Sequence, residues 1–133
     1  MAELMERPTF DQRRGRSKRA LVRYWRECSA YDMASYKGAV TREEYDKAYK
    51  LLNRCKNWAI AQMRFDESET AENYNSLYRR REGAKLDMRY ARLNAELEPY
   101  GCAIHCHGYT CQNVYRTDDQ GRTYGGALLH YFD

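Results

Sequence analysis

The feature that most constrains the fold of this 133-residue chain is a helical pattern that starts at Thr41 and continues to about Phe65. Thr41-Arg-Glu-Glu44 is a capping box, in which the threonine hydroxyl and the glutamate carboxylate each accept a hydrogen bond from the other residue's backbone amide. Apolar residues then recur every three or four positions, at Tyr45, Ala48, Tyr49, Leu52, Cys55, Ala59 and Met63. The pattern predicts a long amphipathic helix with a structural role.

A shorter helix is predicted before this one. Ser17 is a suitable N-cap and Gly38 a suitable stop for a helix that ends at about Tyr36. Its predicted buried face consists of residues at helical spacing, namely Leu21, Tyr24, Cys28 and Tyr31. Residues 1–16, polar at first and then basic, are predicted to form a flexible basic arm.

The third predicted helix is also long. Asp66 followed by Glu69 is a second capping-box pattern, and the helix is expected to run to about Glu98, where Pro99 and Gly101 stop it. Its apolar residues occupy two sides, with Tyr74, Leu77, Ala84, Met88 and Ala91 on one and Leu86, Tyr90, Leu93 and Leu97 on the other. Because a helix that is apolar on two sides is usually sandwiched, we expect it to pack on the other helices and on the residues that follow.

The sequence changes character after Gly101. Short segments with β-strand composition follow at Cys102–His107, Tyr109–Arg116, Arg122–Tyr124 and Ala127–Phe132. Asp118-Asp119-Gln120-Gly121 is a favourable hairpin turn. Gly125-Gly126 is expected to break the chain before the last strand.

The predicted fold class is therefore α+β, in which three helices, the third of them long, precede a small C-terminal antiparallel β-meander. We predict one compact domain over residues 17–133, helical over 17–98 and a β-meander over 101–133. A chain of this length can bury a core without the help of disulfides.

Basic residues are concentrated between Gln12 and Arg26, where the chain carries seven positive side chains and no acidic one. They are Arg13, Arg14, Arg16, Lys18, Arg19, Arg23 and Arg26, and the aromatic residue Trp25 lies among them. Like charges at this density repel one another, so the segment favours a polyanionic partner. An ordinary solvated face or a contact with a partner protein is the alternative interpretation.

A second group of basic residues forms a stripe along one side of the third predicted helix. Its members are three or four residues apart and therefore share one side, namely Tyr74, Tyr78, Arg81, Lys85, Arg89 and Arg92. Arg79 and Arg80 flank this stripe. Basic groups in line with aromatic rings are suited to phosphates and stacked bases. Alternatively, their stems pack along a helix seam while their charged ends pair with Glu82 or Glu96.

Five potential metal ligands lie close together, at Cys102, His105, Cys106, His107 and Cys111. On one strand Cys102 and Cys106 would stand about 13 Å apart, which is too far to share a zinc ion. The better candidate is a three-histidine site formed by His105, His107 and His130. Since half-buried cysteine and histidine are common in small sheets, we expect no metal and no cofactor.

The chain contains no GxSxG, P-loop or HExxH motif, and no catalytic set of nucleophile, base and orienting group can be assigned. We therefore expect no enzymatic activity, with a metal-dependent nuclease built on His105, His107 and a carboxylate as the remaining alternative. The five cysteines are an odd number, and neither a signal peptide nor a membrane-spanning run is recognisable. We expect a cytoplasmic protein with reduced thiols and no membrane partner.

The predicted function is that of a small non-enzymatic nucleic-acid-binding protein that grips the phosphate backbone through its basic arm and first helix. Because Trp25, Tyr74 and Tyr78 are able to stack on unpaired bases, RNA or single strands are favoured. The alternative is an inhibitor that docks on a protein or ribonucleoprotein and blocks it, since tyrosine and arginine supply binding hot spots. Accessory proteins of phages and mobile elements, including anti-CRISPR-like anti-defence proteins, have a similar composition. The oligomeric state is left open.

Overall fold

Three helices precede three short strands in the computed structural model, which describes residues 3–10, 17–106, 112–117 and 123–128. The elements are α1 (Lys18–Ser35), α2 (Arg42–Glu67), α3 (Leu77–Leu97), β1 (Ala103–Cys106), β2 (Gln112–Thr117) and β3 (Thr123–Leu128), and a 3-10 turn at Glu98–Tyr100 continues α3. The three predicted helices are confirmed, including the long third one. No helix within these described ranges has the length and apolar character needed to cross a membrane.

The first two helices begin at the residues that the sequence predicts. The Ser17 hydroxyl accepts a hydrogen bond from the Ala20 amide, and the Thr41 hydroxyl accepts one from the Glu44 amide, both at 3.2 Å. Each cap satisfies an amide that has no partner within the first turn of its helix.

The connection between α2 and α3 differs from the prediction. Helix α2 continues past Asp66, and α3 begins only after Ser76, whose hydroxyl accepts a backbone hydrogen bond at 3.2 Å. Asn73 and Thr70 hold the connection through two reciprocal hydrogen bonds. The Asn73 side-chain oxygen accepts from the Thr70 backbone amide at 2.8 Å, and the Asn73 backbone amide donates to the Thr70 hydroxyl at 3.1 Å. Asparagine and threonine make such local bonds in competition with a helix. Tyr74 therefore lies in the turn before α3.

The hydrophobic core is centred on α2, which packs against both α1 and α3. Leu52, Cys55 and Ala59 of α2 are completely buried. The Trp58 indole is also buried, and its N–H donates to the Leu86 carbonyl at 3.0 Å, which ties α2 to α3. The other helices and the segment after α3 add Ala30, Met33, Leu93, Leu97, Tyr100 and Ile104. Packing against both neighbours leaves α2 only a narrow exposed strip.

Helix α1 is covered on two sides, which differs from the single buried face that the sequence predicts. The side towards the core carries Val22, Ala30, Met33 and Ala34. Of the predicted face, Tyr24, Cys28 and Tyr31 contact residues 3–10, and Tyr31 also packs against the core. The Phe10 ring, for example, packs edge-on against Tyr24 with the ring centroids 5.6 Å apart. Because this cover is distant in sequence, the local pattern does not reveal that the core lies on the other side.

Residues 3–10 lie against the start of α2 and along α1. The Met5 amide donates to the Val40 carbonyl at 2.8 Å, and the Met5 carbonyl accepts from the Tyr31 hydroxyl at 3.3 Å. Arg7 donates to both carboxylate oxygens of Asp32, at 3.0 and 3.1 Å. The domain boundary at residue 16 stays a prediction, because residues 11–16 lie outside the described part of the chain.

The three strands pair antiparallel in the order β1-β2-β3. Ile104 links β1 to α3, since its amide donates to the Asn94 side-chain oxygen at 2.8 Å and its carbonyl accepts from the Tyr90 hydroxyl at 3.3 Å. Strand β3 is continuous across the glycine pair at which the sequence analysis places a break. The connections between the strands lie outside the described residues, so the complete β-meander over 101–133, with its turn at 118–121, stays a prediction.

Candidate functional site

A groove runs along the surface between α2 and α3, and arginine is its most frequent wall residue. At one end, a cleft of about 330 Å³ is lined by Arg54 and Asn57 of α2 and by Arg89, Arg92 and Leu93 of α3. A second cleft of about 330 Å³ lies towards the connection between the helices, with Ala61, Arg64, Phe65, Tyr78, Glu82 and Leu86 in its walls. Arg89 lines both clefts, so they are adjacent between α2 and α3, and together they are called the α2/α3 groove.

Three arginines of the α2/α3 groove make no salt bridge with a described residue, although the charge of Arg92 acts on Glu96 from a greater distance. Within the described ranges, no carboxylate lies at salt-bridge distance from Arg64, Arg89 or Arg92, and all three are exposed. Glu82, an acidic residue of the wall, is already paired with Lys85 at 3.1 Å. The groove is therefore positively charged and open to solvent.

Arg54 differs from these three because it is held by a carboxylate. It donates to both oxygens of Glu96, at 2.7 and 2.6 Å. The hydrogen bonds from Arg54, together with the positive charges of Arg54 and Arg92, lower the pKa of Glu96, and the same pairing raises the pKa of Arg54. A two-pronged pair of this kind fixes the geometry of both groups, so Arg54 forms a fixed part of the wall.

Arg79 lines the groove by position but has a structural role. It is only 8 % exposed, and its guanidinium donates to the Phe65 carbonyl and to the Ser68 hydroxyl, both at 3.0 Å. The same group lies 3.9 Å from the centroid of the Phe65 ring. The Phe65 carbonyl also accepts from the Ser68 amide and hydroxyl, so Arg79 adds a charged donor to an already capped C-terminus of α2 and ties this end to α3. The sequence places Arg79 at the edge of the exposed stripe, whereas the structure buries it.

The predicted stripe on α3 remains together except at its N-terminal end. Its exposed members on one side of the helix are Tyr78, Arg81, Lys85, Arg89 and Arg92. Tyr74 is also exposed, but it precedes the helix, so helical spacing does not place it in line with the others. Of the pairings considered in the alternative interpretation, Glu82 holds Lys85 and Glu96 holds Arg54. That alternative therefore leaves Arg89 unexplained, whereas Arg92 interacts with Glu96 through charge but without a salt bridge.

The part of the basic segment that lies on α1 has both exposed and half-buried residues. Its basic residues Lys18, Arg19 and Arg23 are exposed, as is Trp25 among them. Arg26 is half-buried, and its guanidinium donates to the Asn53 side-chain oxygen on α2 at 3.5 Å. The three arginines of the arm, Arg13, Arg14 and Arg16, lie outside the described residues.

The exposed strip of α2 connects the two basic regions. Asn53 contacts α1 and Asn57 lines the groove, and these residues are one helical turn apart. The apolar pattern of α2 predicts only a structural role for this helix, so this surface was not predicted. A signal for it exists, because between Asp46 and Asp66 the chain has no acidic residue and five basic ones, Lys47, Lys50, Arg54, Lys56 and Arg64. A solvated helix face usually mixes the two signs.

Metal and thiol chemistry has little support among the described side chains, which contain no group of three or more potential ligands. The three-histidine alternative of His105, His107 and His130 lies outside them, as does the nuclease that depends on it. The described cysteines are buried free thiols. Burial raises the pKa of Cys55 to about 12, which keeps this thiol neutral and unreactive.

No family of known proteins, no curated protein and no solved structure matches this chain. A function for this chain must therefore be proposed from the side chains of the α2/α3 groove and of the exposed strip of α2.

Proposed function

We propose that this chain is a small non-enzymatic nucleic-acid-binding protein that holds the phosphate backbone. The basic arm with Arg13, Arg14 and Arg16, the exposed side of α1 and the α2/α3 groove would supply the contacts. The observation that carries this proposal is the set of exposed arginines in the groove that no described carboxylate neutralises.

The chemistry of arginine supports a phosphate ligand. Its planar group donates two parallel hydrogen bonds, which match the oxygens of a phosphate. Unneutralised arginines that share one groove repel one another in the free protein, and a polyanion relieves this repulsion. The net charge of the chain is only +4, so the proposal depends on where the charges lie and not on their sum.

Exposed aromatic rings favour RNA or single strands over duplex DNA. Trp25, Tyr74 and Tyr78 are 57 %, 61 % and 75 % exposed. Unpaired bases stack on such rings, whereas the bases of a duplex stack on one another. Base stacking would add to a binding energy that comes mainly from phosphate contacts.

Fluorescence anisotropy tests the proposal directly, with labelled single-stranded RNA, duplex RNA and duplex DNA at low and near-physiological salt. The wild-type protein should bind at physiological salt and prefer one form. The triple variant Arg19→Gln, Arg23→Gln, Arg26→Gln should lose affinity. The slope of log K against log salt should fall by about 2, because each lost phosphate contact removes about 0.7 for a single strand.

A matched control removes the same number of charges from three exposed positions elsewhere, namely Lys37→Gln, Arg42→Gln and Arg80→Gln. Circular dichroism of both triple variants would establish that they are folded. Equal losses of affinity in the two variants would mean that the protein attracts polyanions only through its total charge. Binding to none of the three nucleic acids would contradict the proposed function.

The second candidate function is that of an interaction or inhibitor protein of the kind found in phages and mobile elements. It is favoured by apolar side chains at the start of α3 and on its outer side, since Leu77 and Met88 are each 62 % exposed. Exposed apolar and aromatic side chains are typical of protein interfaces. The partner would be a nucleic-acid-handling protein complex that the chain blocks by docking.

The two functions respond differently to substitution. An interaction protein would ignore free nucleic acid and lose its partner when Leu77 and Met88 become serine. A nucleic-acid-binding protein would be insensitive to those changes. Affinity pull-down with the wild type and with the Leu77→Ser, Met88→Ser variant would separate them.

We also propose that residues 101–133 complete a β-meander that covers one side of the helices. Strand β1 contacts α3 and strand β3 contacts α1, which supports a sheet that spans both helices. We also propose a cytoplasmic location, with which the free thiols of the described cysteines are consistent.

A further inference from the structure

We infer that the α2/α3 groove takes one unpaired polynucleotide strand, with a phosphate at Arg89 and Arg92 and a base against Tyr78. This inference rests on the proposed function and adds the path of the strand and its single-stranded form. RNA and single-stranded DNA share the chemistry that the groove recognises.

The combination of an exposed aromatic ring with exposed arginines favours a single strand. Tyr78, Arg64, Arg89 and Arg92 line clefts of about 330 Å³ each between α2 and α3. A single strand offers an unpaired base to the ring and phosphates to the arginines, whereas the bases of a duplex stack on one another and are not available to Tyr78.

The cleft around Arg89 and Arg92 has the composition of a phosphate site. The two arginines are three residues apart on α3 and both line the cleft, and the Asn57 side chain lies on the opposite wall. Glu96 is engaged with Arg54 through both of its oxygens. A phosphate in this cleft would therefore meet two exposed guanidinium groups while the nearby carboxylate is occupied.

Tyr78 provides the base contact at the other end of the groove. Its side chain is 75 % exposed and lines the second cleft, where Arg64 of α2 also contributes. Tyr78 and Arg89 are eleven residues apart on α3, which corresponds to about 16 Å along the helix axis. This distance spans several nucleotides, at about 3.4 Å each when stacked. One strand can therefore contact both ends.

The test measures anisotropy with oligouridine, oligothymidine and a duplex, each of about 16 nucleotides, the upper end of typical single-strand site sizes. Both single strands should bind at least about tenfold more tightly than the duplex at physiological salt, as a gain of one stacked base predicts. The RNA and DNA strands show which sugar the groove prefers.

Arg89→Glu and Arg80→Glu form a matched pair for the phosphate contact. Both residues are exposed arginines of α3. They are nine positions apart and therefore lie on opposite sides of the helix, so Arg80 does not line the groove. Arg89→Glu should weaken single-strand binding at least about tenfold and reduce the salt slope by about 0.7. Arg80→Glu should change the affinity less than about twofold, as expected for a long-range charge effect at physiological salt.

Tyr78→Ala and Tyr78→Phe test the base contact. Loss of the ring should weaken binding about tenfold, within the range known for single stacked bases, whereas phenylalanine keeps the ring and the affinity. Leu77→Ala removes a neighbouring exposed apolar side chain and should have no effect. Thermal unfolding of each variant would show that the fold is intact.

The outcomes separate this inference from the proposed function. Preference for the duplex, equal losses from Arg80→Glu and Arg89→Glu, or full affinity in Tyr78→Ala would overturn the inference. If binding nevertheless collapses in the Arg19, Arg23 and Arg26 variant, nucleic-acid binding stands and only the path of the strand is wrong. If the wild type binds no polynucleotide, both fail.

Discussion

Two arginines of helix α3, Arg79 and Arg89, have the same side chain and opposite surroundings. Arg79 is 8 % exposed, donates two hydrogen bonds to the end of α2 and lies over the Phe65 ring. Arg89, ten residues later, is exposed in the α2/α3 groove, and no described carboxylate is at salt-bridge distance from it. One arginine closes the helical hairpin, and the other presents a charge to the solvent.

This difference shows how one helix serves two purposes. Where α2 and α3 are joined, the Arg79 guanidinium donates hydrogen bonds to backbone and side-chain oxygens at the end of α2. Farther along the groove, Arg54 is satisfied by Glu96 while Arg89 and Arg92 are not. Arg79 is thus bound within the fold, whereas Arg64, Arg89 and Arg92 present their charge to the solvent.

The largest effect is expected from Arg79→Ala, which should destabilise the protein by about 3 kcal/mol, because it removes a buried side chain with two charge-assisted hydrogen bonds and its contact with the Phe65 ring. Arg89→Ala should change the free energy of unfolding by less than about 0.5 kcal/mol, as exposed substitutions usually do. Chemical denaturation of both variants measures the contrast. Equal destabilisation would abolish the distinction between the two arginines.

Gly83→Val should give the next largest effect. A Cβ atom at Gly83 would lie 3.3 Å from the Phe65 ring, and the methyl groups of valine would push this ring away from its place beneath Arg79. We expect a loss of about 2 kcal/mol in the free energy of unfolding, typical of overpacking. The matched control is Ala84→Val at the adjacent exposed position. It should cost only the few tenths of a kcal/mol by which valine is less favourable than alanine in a helix. Similar losses in both variants would mean that the Phe65 ring is not needed in its observed place.

Glu96→Gln should destabilise the protein less than the two preceding substitutions, and it should strengthen the binding of a single strand. The ion pair between Arg54 and Glu96 is half-exposed, at 51 % and 41 %, so its removal should cost at most about 1 kcal/mol. The groove loses a negative charge and Arg54 is released, so single-strand binding should become tighter. Denaturation and anisotropy on the same samples measure both changes, and weaker binding would contradict the role assigned to Arg54 and Glu96.

The stability difference between the wild type and Glu96→Gln should depend on pH. The pKa of Glu96 is lowered in the folded protein, mainly by the hydrogen bonds from Arg54. The contribution of the pair is therefore fully present above the unfolded pKa of about 4.3, and it is lost as the pH falls through the lower folded value. Denaturation near neutral pH should show the difference, and denaturation near pH 3 should show less of it. A difference that grows on acidification would reverse this sign.

The helices and their first two caps could be predicted because they depend on local interactions. Thr41 and Ser17 bond to amides three residues away, which is within reach of a sequence pattern. The start of α3 could not be placed, because Asn73 and Thr70 form a reciprocal loop that competes with the helix. The cover of residues 3–10 over α1 was also missed, since it depends on contacts between distant parts of the chain.

The candidate site was predicted in part. Helical spacing identifies the exposed residues of α3 from Tyr78 to Arg92, because exposure and alignment follow from the helix itself. The same spacing cannot show that Arg79 is buried, because its hydrogen-bond partners Phe65 and Ser68 lie at the end of a different helix. The α2 wall was overlooked although its lack of acidic residues is visible in the sequence, since its regular apolar pattern is explained by packing alone.

The N-terminal segment determines how the basic arm can be dissected by experiment. Residues 3–10 cover α1, and the Cys28 thiol within this covered side donates to the Pro8 carbonyl at 3.7 Å. A fragment that starts at residue 17 would lose the arm's arginines and at the same time uncover a thiol and an apolar helix face. Failure of such a fragment to bind would report on folding as much as on charge. The shortest meaningful fragment therefore begins no later than residue 3, and the arm must be probed by substituting Arg13, Arg14 and Arg16 in place.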